Sequence, residues 1–158
     1  MKKAIMGMSG LALVAGLGWL ALPGQAETSA GLLPYSDAEA VALGETLYAE
    51  NCAACHGAAL EGQVANWRER DADGMMPAPP HDESGHTWHH PDAMLFAITK
   101  YGTEAVVGQG YQSNMMGFEG VLSDEEILAT LAYIKSTWPA EIIEAHNGMN
   151  AQFEATRN

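Results

Sequence analysis

Cys52-Ala53-Ala54-Cys55-His56 brings two thiols and an imidazole together within five residues. On a helix, positions separated by three and four share one face, so Cys52, Cys55 and His56 can all point at one flat ligand. Three chemistries use such residues: a dithiol–disulfide couple, a thiolate metal site, and covalent attachment of haem. In the last, the sulfurs form thioethers and the imidazole reaches the iron. The imidazole directly after the second cysteine, and the lack of a strand-rich βαβ pattern around the pair, weigh against a thioredoxin-type disulfide. Only two cysteines exist and there is no second CxxC, which weighs against structural zinc. Haem attachment is the reading that uses all three side chains.

Such a site needs helices to hold it, and the flanking sequence supplies their signals. Ser36 followed by Glu39 reads as a capping box, with Asp37 and Glu39 at the positive end of the helix dipole. The face Val41, Gly44, Tyr48, Cys52, Cys55 follows at helical spacing. Gly44 is costly inside a helix unless something packs close against it, so it predicts a tight helix crossing. Residues 57–90 read as a long loop rich in Gly, Pro, Asp and His. A ligating imidazole is held by a hydrogen bond from its other ring nitrogen, and a carbonyl within Pro77–Pro80 is the expected acceptor for His56. A second helix starts with Pro91 at its first position, carries Met94, Leu95 and Ile98, and stops at Gly102. Residues 103–120 again read as loop. A third helix starts at Ser123 with Glu126 completing a capping box. It carries Ile127, Leu131, Ile134 and Trp138 and ends at Pro139. Residues 140–158 read as a C-terminal extension, helical over Ala140 to His146 and frayed beyond.

Residues 1–26 read as a secretory signal peptide: Lys2 and Lys3, an apolar run to Leu22, then small residues up to a cut after Ala26. The alternative is an uncleaved anchor, which the length of the run also permits. Either way the remainder is delivered to the periplasm or otherwise exported, tethered to the membrane only if the leader stays. Residues 27–35 form a loose lead-in. The leader takes two lysines and none of the 20 acidic residues, so the rest is more acidic still than the −13 of the whole chain. Like-charge repulsion argues against nucleic acid and anionic membrane surfaces as partners, and favours a partner with a basic docking face.

Residues 36–139 resemble a class I, bacterial monohaem c-type cytochrome. The matching residues are Gly44-Glu45-Thr46-Leu47-Tyr48, Cys52-Ala53-Ala54-Cys55-His56-Gly57, and Leu122-Ser123-Asp124-Glu125-Glu126-Ile127 leading into Leu131-Ala132-Tyr133-Ile134-Lys135. Pro79-Pro80-His81-Asp82 through Gly85-His86-Thr87-Trp88-His89-His90-Pro91-Asp92 resembles a subgroup of such proteins. The resemblance implies an all-α cytochrome c fold, with three main helices and long loops around one covalent haem c. It also implies a methionine as the second axial ligand. Family members carry Met-Pro-x-Phe before the last helix. Aligning Asn114-Met115-Met116-Gly117-Phe118 on Phe118 puts Met115 at the ligand position, with Met116 the second choice. Met75 and Met76 are weaker candidates, because their loop is expected on the His56 side. The implied function is an electron carrier, not an enzyme, although it can serve an oxidase or dehydrogenase system as a subunit. The alternatives are a haem protein with a labile sixth site, and a module that also binds copper. His81, His86, His89 and His90 carry the copper alternative, since imidazoles beside thioethers suit that metal. The bland reading of these four is a polar loop that caps and hydrogen-bonds, with Trp88 packed on the haem or the core.

Overall fold

The computed structural model describes residues 31–157, so the leader and residues 27–30 lie outside the described residues. The architecture is all-α: α1 (Ala38–Asn51), α2 (Ala53–His56), α3 (Asp92–Tyr101), α4 (Thr103–Val107), α5 (Asp124–Ser136) and α6 (Ala140–Arg157), with a 3₁₀ turn at Thr87–His89. Among the described residues only two isolated β-bridges occur and no strand.

The α5 capping box forms as the sequence predicts. Ser123 Oγ accepts from the Glu126 amide (3.2 Å), and Glu126 Oε2 accepts from the Ser123 amide (2.8 Å). Its buried face, Ile127, Leu131 and Ile134, joins Tyr48, Leu60, Leu95 and Trp138 in the core. The main crossing is α5 on α1, at Gly44. A Cβ there would stand 2.0 Å from the Ala129 carbonyl oxygen and 2.9 Å from Tyr133 Cβ. The two backbones thus touch where the sequence places its one helical glycine on the Tyr48 face.

Several boundaries differ from expectation. The N-cap of α1 is Asp37, not Ser36. Its Oδ1 accepts from the amides of Glu39 (2.9 Å) and Ala40 (3.1 Å), two orphan donors that one carboxylate satisfies at the positive helix end. Glu39 lies one position too early in the helix to complete a box. Pro91 is the N-cap of α3 rather than its first residue, because its ψ of 153° is extended. Gly102 (φ +86°) stops α3 as expected. The 103–120 stretch contains α4, a five-residue helix too short to show periodicity, closed by Gly108 at φ +67°. The helix expected to end near His146 runs on to Arg157.

Ile142 and Ile143 pack the first turns of α6 against the core, and polar contacts hold its continuation, which is why hydrophobic periodicity misses its full length. His146 Nε2 donates to the His90 carbonyl (2.9 Å), and Asn150 Oδ1 accepts from the Asp92 amide (2.8 Å). Asn147 accepts from Lys135 Nζ (2.7 Å) and donates to Tyr35 Oη (3.0 Å). Lys135 is wholly buried, with its ammonium over the Tyr35 ring. The lead-in is not loose over residues 31–35 either. Asp92, 1% exposed, accepts from the amides of Leu32 (2.7 Å) and Leu33 (3.2 Å), and Leu33 enters the core. No helix of the described residues is long and apolar enough to cross a membrane.

Replacing Gly44 by alanine forces α1 and α5 apart. Overpacking of this kind costs about 1–3 kcal/mol, to be read as a lowered midpoint in denaturant unfolding of the haem-loaded protein. The His146 imidazole, facing Asp92 and Lys135, is held below its ordinary pKa of 6.5, chiefly by burial. The unfolded chain then binds the extra proton more readily than the fold does, so stability falls as pH drops through that value. Thermal unfolding followed from about pH 7.5 to about pH 5 should show this loss, and His146→Gln should reduce it.

Candidate haem site

Cys52 interrupts the helix that was expected to carry the whole triplet. Its backbone (φ −117°, ψ −36°) turns the chain between α1 and α2, and its carbonyl accepts from both Cys55 (3.1 Å) and His56 (2.9 Å) amides. The triplet keeps its one-sided arrangement: Cys52, Cys55 and His56 all line one cavity of about 490 Å³. Both thiols are free. Burial, then the neighbouring Cys55, pushes the Cys52 pKa up to about 11, so its thiol stays protonated at neutral pH. Tyr48 braces the turn from below, with its Oη donating to the Gly57 carbonyl (2.8 Å).

His56 is buried, and its Nδ1 lies 2.8 Å from the Pro79 carbonyl. Of the carbonyls between Pro77 and Pro80, Pro79 is therefore the acceptor. A carbonyl only accepts, so Nδ1 carries the hydrogen and Nε2 keeps its lone pair, the tautomer that binds a metal. Burial lowers the His56 pKa and keeps the ring neutral. Two glycines seat the Pro79-Pro80 strap. A Cβ on Gly62 would meet Pro80 N at 2.7 Å, and one on Gly85 would meet the Pro80 carbonyl oxygen at 2.0 Å.

The remaining walls come from Leu95, Ile98 and Thr99 of α3, Leu131 and Ile134 of α5, and the segment after α4. That segment is laced to the end of α3. The Phe118 amide donates to the Thr99 carbonyl (3.0 Å) and the Glu119 amide to that of Lys100 (2.9 Å). Gly117 packs so closely that a Cβ would lie 2.5 Å from the Tyr101 carbonyl carbon. Met115 and Met116 both reach the cavity, as does Met76 beside the Pro79 strap. Met115 is half-buried, whereas Met116 is 72% exposed.

The four loop histidines divide: the His86 and His90 rings meet edge-on at 5.3 Å and line the cavity with His81, whereas His89 does not line it. His81 stacks on His56, His86 on Trp67, and His89 on Trp88, while the His90 carbonyl receives His146. Among the described residues, no group of three or more His, Cys, Asp or Glu is placed to hold a metal ion. Trp88 packs against the core and donates from Nε1 to the Glu83 carbonyl (3.3 Å). Sequence reasoning missed the contact between His81 and His56. The one signal available was proximity along the chain, since His81 directly follows the proline run whose carbonyl takes His56.

The residues fit a covalent haem. Two thiols and a neutral imidazole with a free Nε2 share one wall of an apolar cavity, whose volume lies within the range of about 300–1,000 Å³ usual for cofactor sites. Fold and site together define a helical protein that carries a covalently attached haem. The family model for cytochrome c matches residues 41–138, well over half of the chain, and the chain belongs to the cytochrome c family. No curated protein and no solved structure matched it. Membership makes it a haem-binding electron carrier with redox-protein partners.

Replacing Cys52 and Cys55 together by alanine removes both thioethers but leaves the cavity and His56. Haem should then be extracted by acidified organic solvent, whereas in the unaltered protein it stays with the polypeptide.

Proposed function

We propose that this is an exported carrier of single electrons, holding one haem c between His56 and Met115. The observation that carries the reading is that a neutral, correctly protonated His56 and a half-buried Met115 line the same cavity. Bound haem supplies a one-electron couple. The chain's own groups set its potential. The Met115 thioether is a soft ligand that favours the lower-charged iron. Leu95, Ile98, Leu131 and Ile134 exclude water and disfavour the extra positive charge of the oxidised state. The exposure of Met116 favours Met115 over it. For the copper alternative the loop offers the His86–His90 pair, and among the described residues no third His, Cys, Asp or Glu joins it to hold a metal ion.

Charge supports a partner with a basic docking face, and argues against nucleic acid. Of the five basic residues beyond the leader, Lys135 is buried. Lys100 pairs with Asp124 at 2.6 Å, and Arg157 faces Glu154 at 3.7 Å. Arg68 and Arg70 then remain, on one loop, against an acidic surface. The composition of residues 1–26 supports export, to the periplasm or an equivalent compartment, with a membrane tether if that segment is retained.

The test is an absorption spectrum and redox titration of the reduced and oxidised protein. A low-spin c-type spectrum is expected. Met115→Ala should lower the midpoint potential and open the iron to carbon monoxide, and Met116→Ala should do neither. A wild-type protein that is high-spin and binds carbon monoxide readily would overturn the reading.

A further inference from the structure

The hydrogen bond to Pro79 holds His56 at one ring atom, Nδ1. A planar ring held at one edge can still rock about that contact. What stops it is His81, whose ring lies parallel to His56, with centroids 4.0 Å apart and planes 21° apart.

His81 is itself held on every side. Its amide donates to the Leu60 carbonyl (2.8 Å), and its own carbonyl accepts from Trp138 Nε1 (2.7 Å). Its Nδ1 hydrogen-bonds with Thr87 Oγ1 (2.8 Å), on a threonine that is buried. Tyr48, from α1, meets the ring edge-on at 6.2 Å and 73°. The backbone of His81 is thus pinned to the loop and to Trp138, two residues past α5, and its ring is fixed by the 3₁₀ turn and α1.

We propose that His81 is the positioning residue of the axial imidazole: by stacking on His56 it fixes the rotation of that ring about its Cβ–Cγ bond. Rotation of an axial ring changes its overlap with the iron orbitals, so His81 sets the magnetic anisotropy and trims the reduction potential without touching the haem iron. Hydrogen bonds beyond the first ligand shell orient metal-binding histidines in the same way; here an aromatic face adds to the carbonyl. The inference rests on the His56/Met115 reading.

Three variants of the haem-loaded protein separate the stack from mere support. His81→Phe keeps an aromatic face and loses the Thr87 hydrogen bond. His81→Leu loses both. Thr87→Val keeps the histidine and frees its ring. Because both His81 variants lose one buried hydrogen bond, both should unfold at lower temperature. Thermal unfolding therefore does not distinguish them. The ferric EPR g values, the spread of haem-methyl NMR shifts and the midpoint potential do. His81→Leu should shift all three and broaden the EPR lines, whereas His81→Phe and Thr87→Val, which lose the His81–Thr87 hydrogen bond but keep a ring against His56, should shift in the same direction by less. Wild-type signatures in His81→Leu would overturn the proposal, as would equal shifts in His81→Phe and His81→Leu. Should His81→Leu fail to take up haem, Thr87→Val decides: a shift supports the stack, and unchanged g values and methyl shifts overturn it. A wild-type spectrum that is not low-spin breaks the ligand reading itself, and is seen before any variant is compared.

Discussion

The hydrogen bond from His56 Nδ1 to the Pro79 carbonyl is the constraint on which the site depends. It chooses the tautomer, and so leaves Nε2 as the donor atom turned to a metal. It also closes the long 57–80 segment onto the end of α2. Apart from its prolines, the apolar side chains that this segment buries are Leu60 and Trp67, while Val64 is exposed. Its order comes from backbone pairing, with Gly62 donating to His56 (2.7 Å) and Gln63 to Ala78 (2.9 Å). A proline run suits this role, because it loses little entropy on ordering and leaves its carbonyls free to accept.

A second, quite different device holds the chain ends. Asp92, His146, Asn150 and Lys135 are all buried, in a protein whose surplus of acid would leave most carboxylates in water. Burying a charge is costly unless it is hydrogen-bonded. Asp92 meets that condition at Oδ2, which takes two backbone amides of the lead-in, while its Oδ1 has no hydrogen bond and lies 3.5 Å from His146 Nε2; Lys135 meets it with Asn147 and the Tyr35 ring. The result ties residues 32–35, the start of α3, the end of α5 and α6 into one unit. Through the His90 carbonyl, that unit reaches the cavity wall. The terminal helix thereby supports the haem pocket at a distance.

Local signals were legible where one residue decides the outcome. Gly44 announced a close crossing because nothing larger fits, and Ser123 with Glu126 announced a helix start because both partners lie within one turn. Asp37 was harder to assign: with Ser36 beside it, two caps compete, and only the backbone angles choose. The shortfall at α6 has a plain cause. Its anchors are His146, Asn147 and Asn150, whose partners lie at Tyr35, His90, Asp92 and Lys135, and no periodicity within the helix encodes them.

The sequence by itself determined the attachment chemistry, because Cys52, Cys55 and His56 are close enough along the chain that any helical turn gathers them. It also determined the acidic surface and the three main helices. Only the tertiary structure decided which proline carbonyl takes His56, that His81 lies flat on that ring, and that Met115 is the more sheltered of two adjacent methionines. The reason is range. The first set depends on residues within a turn or two of one another. The second depends on loops whose paths are set by contacts across the core.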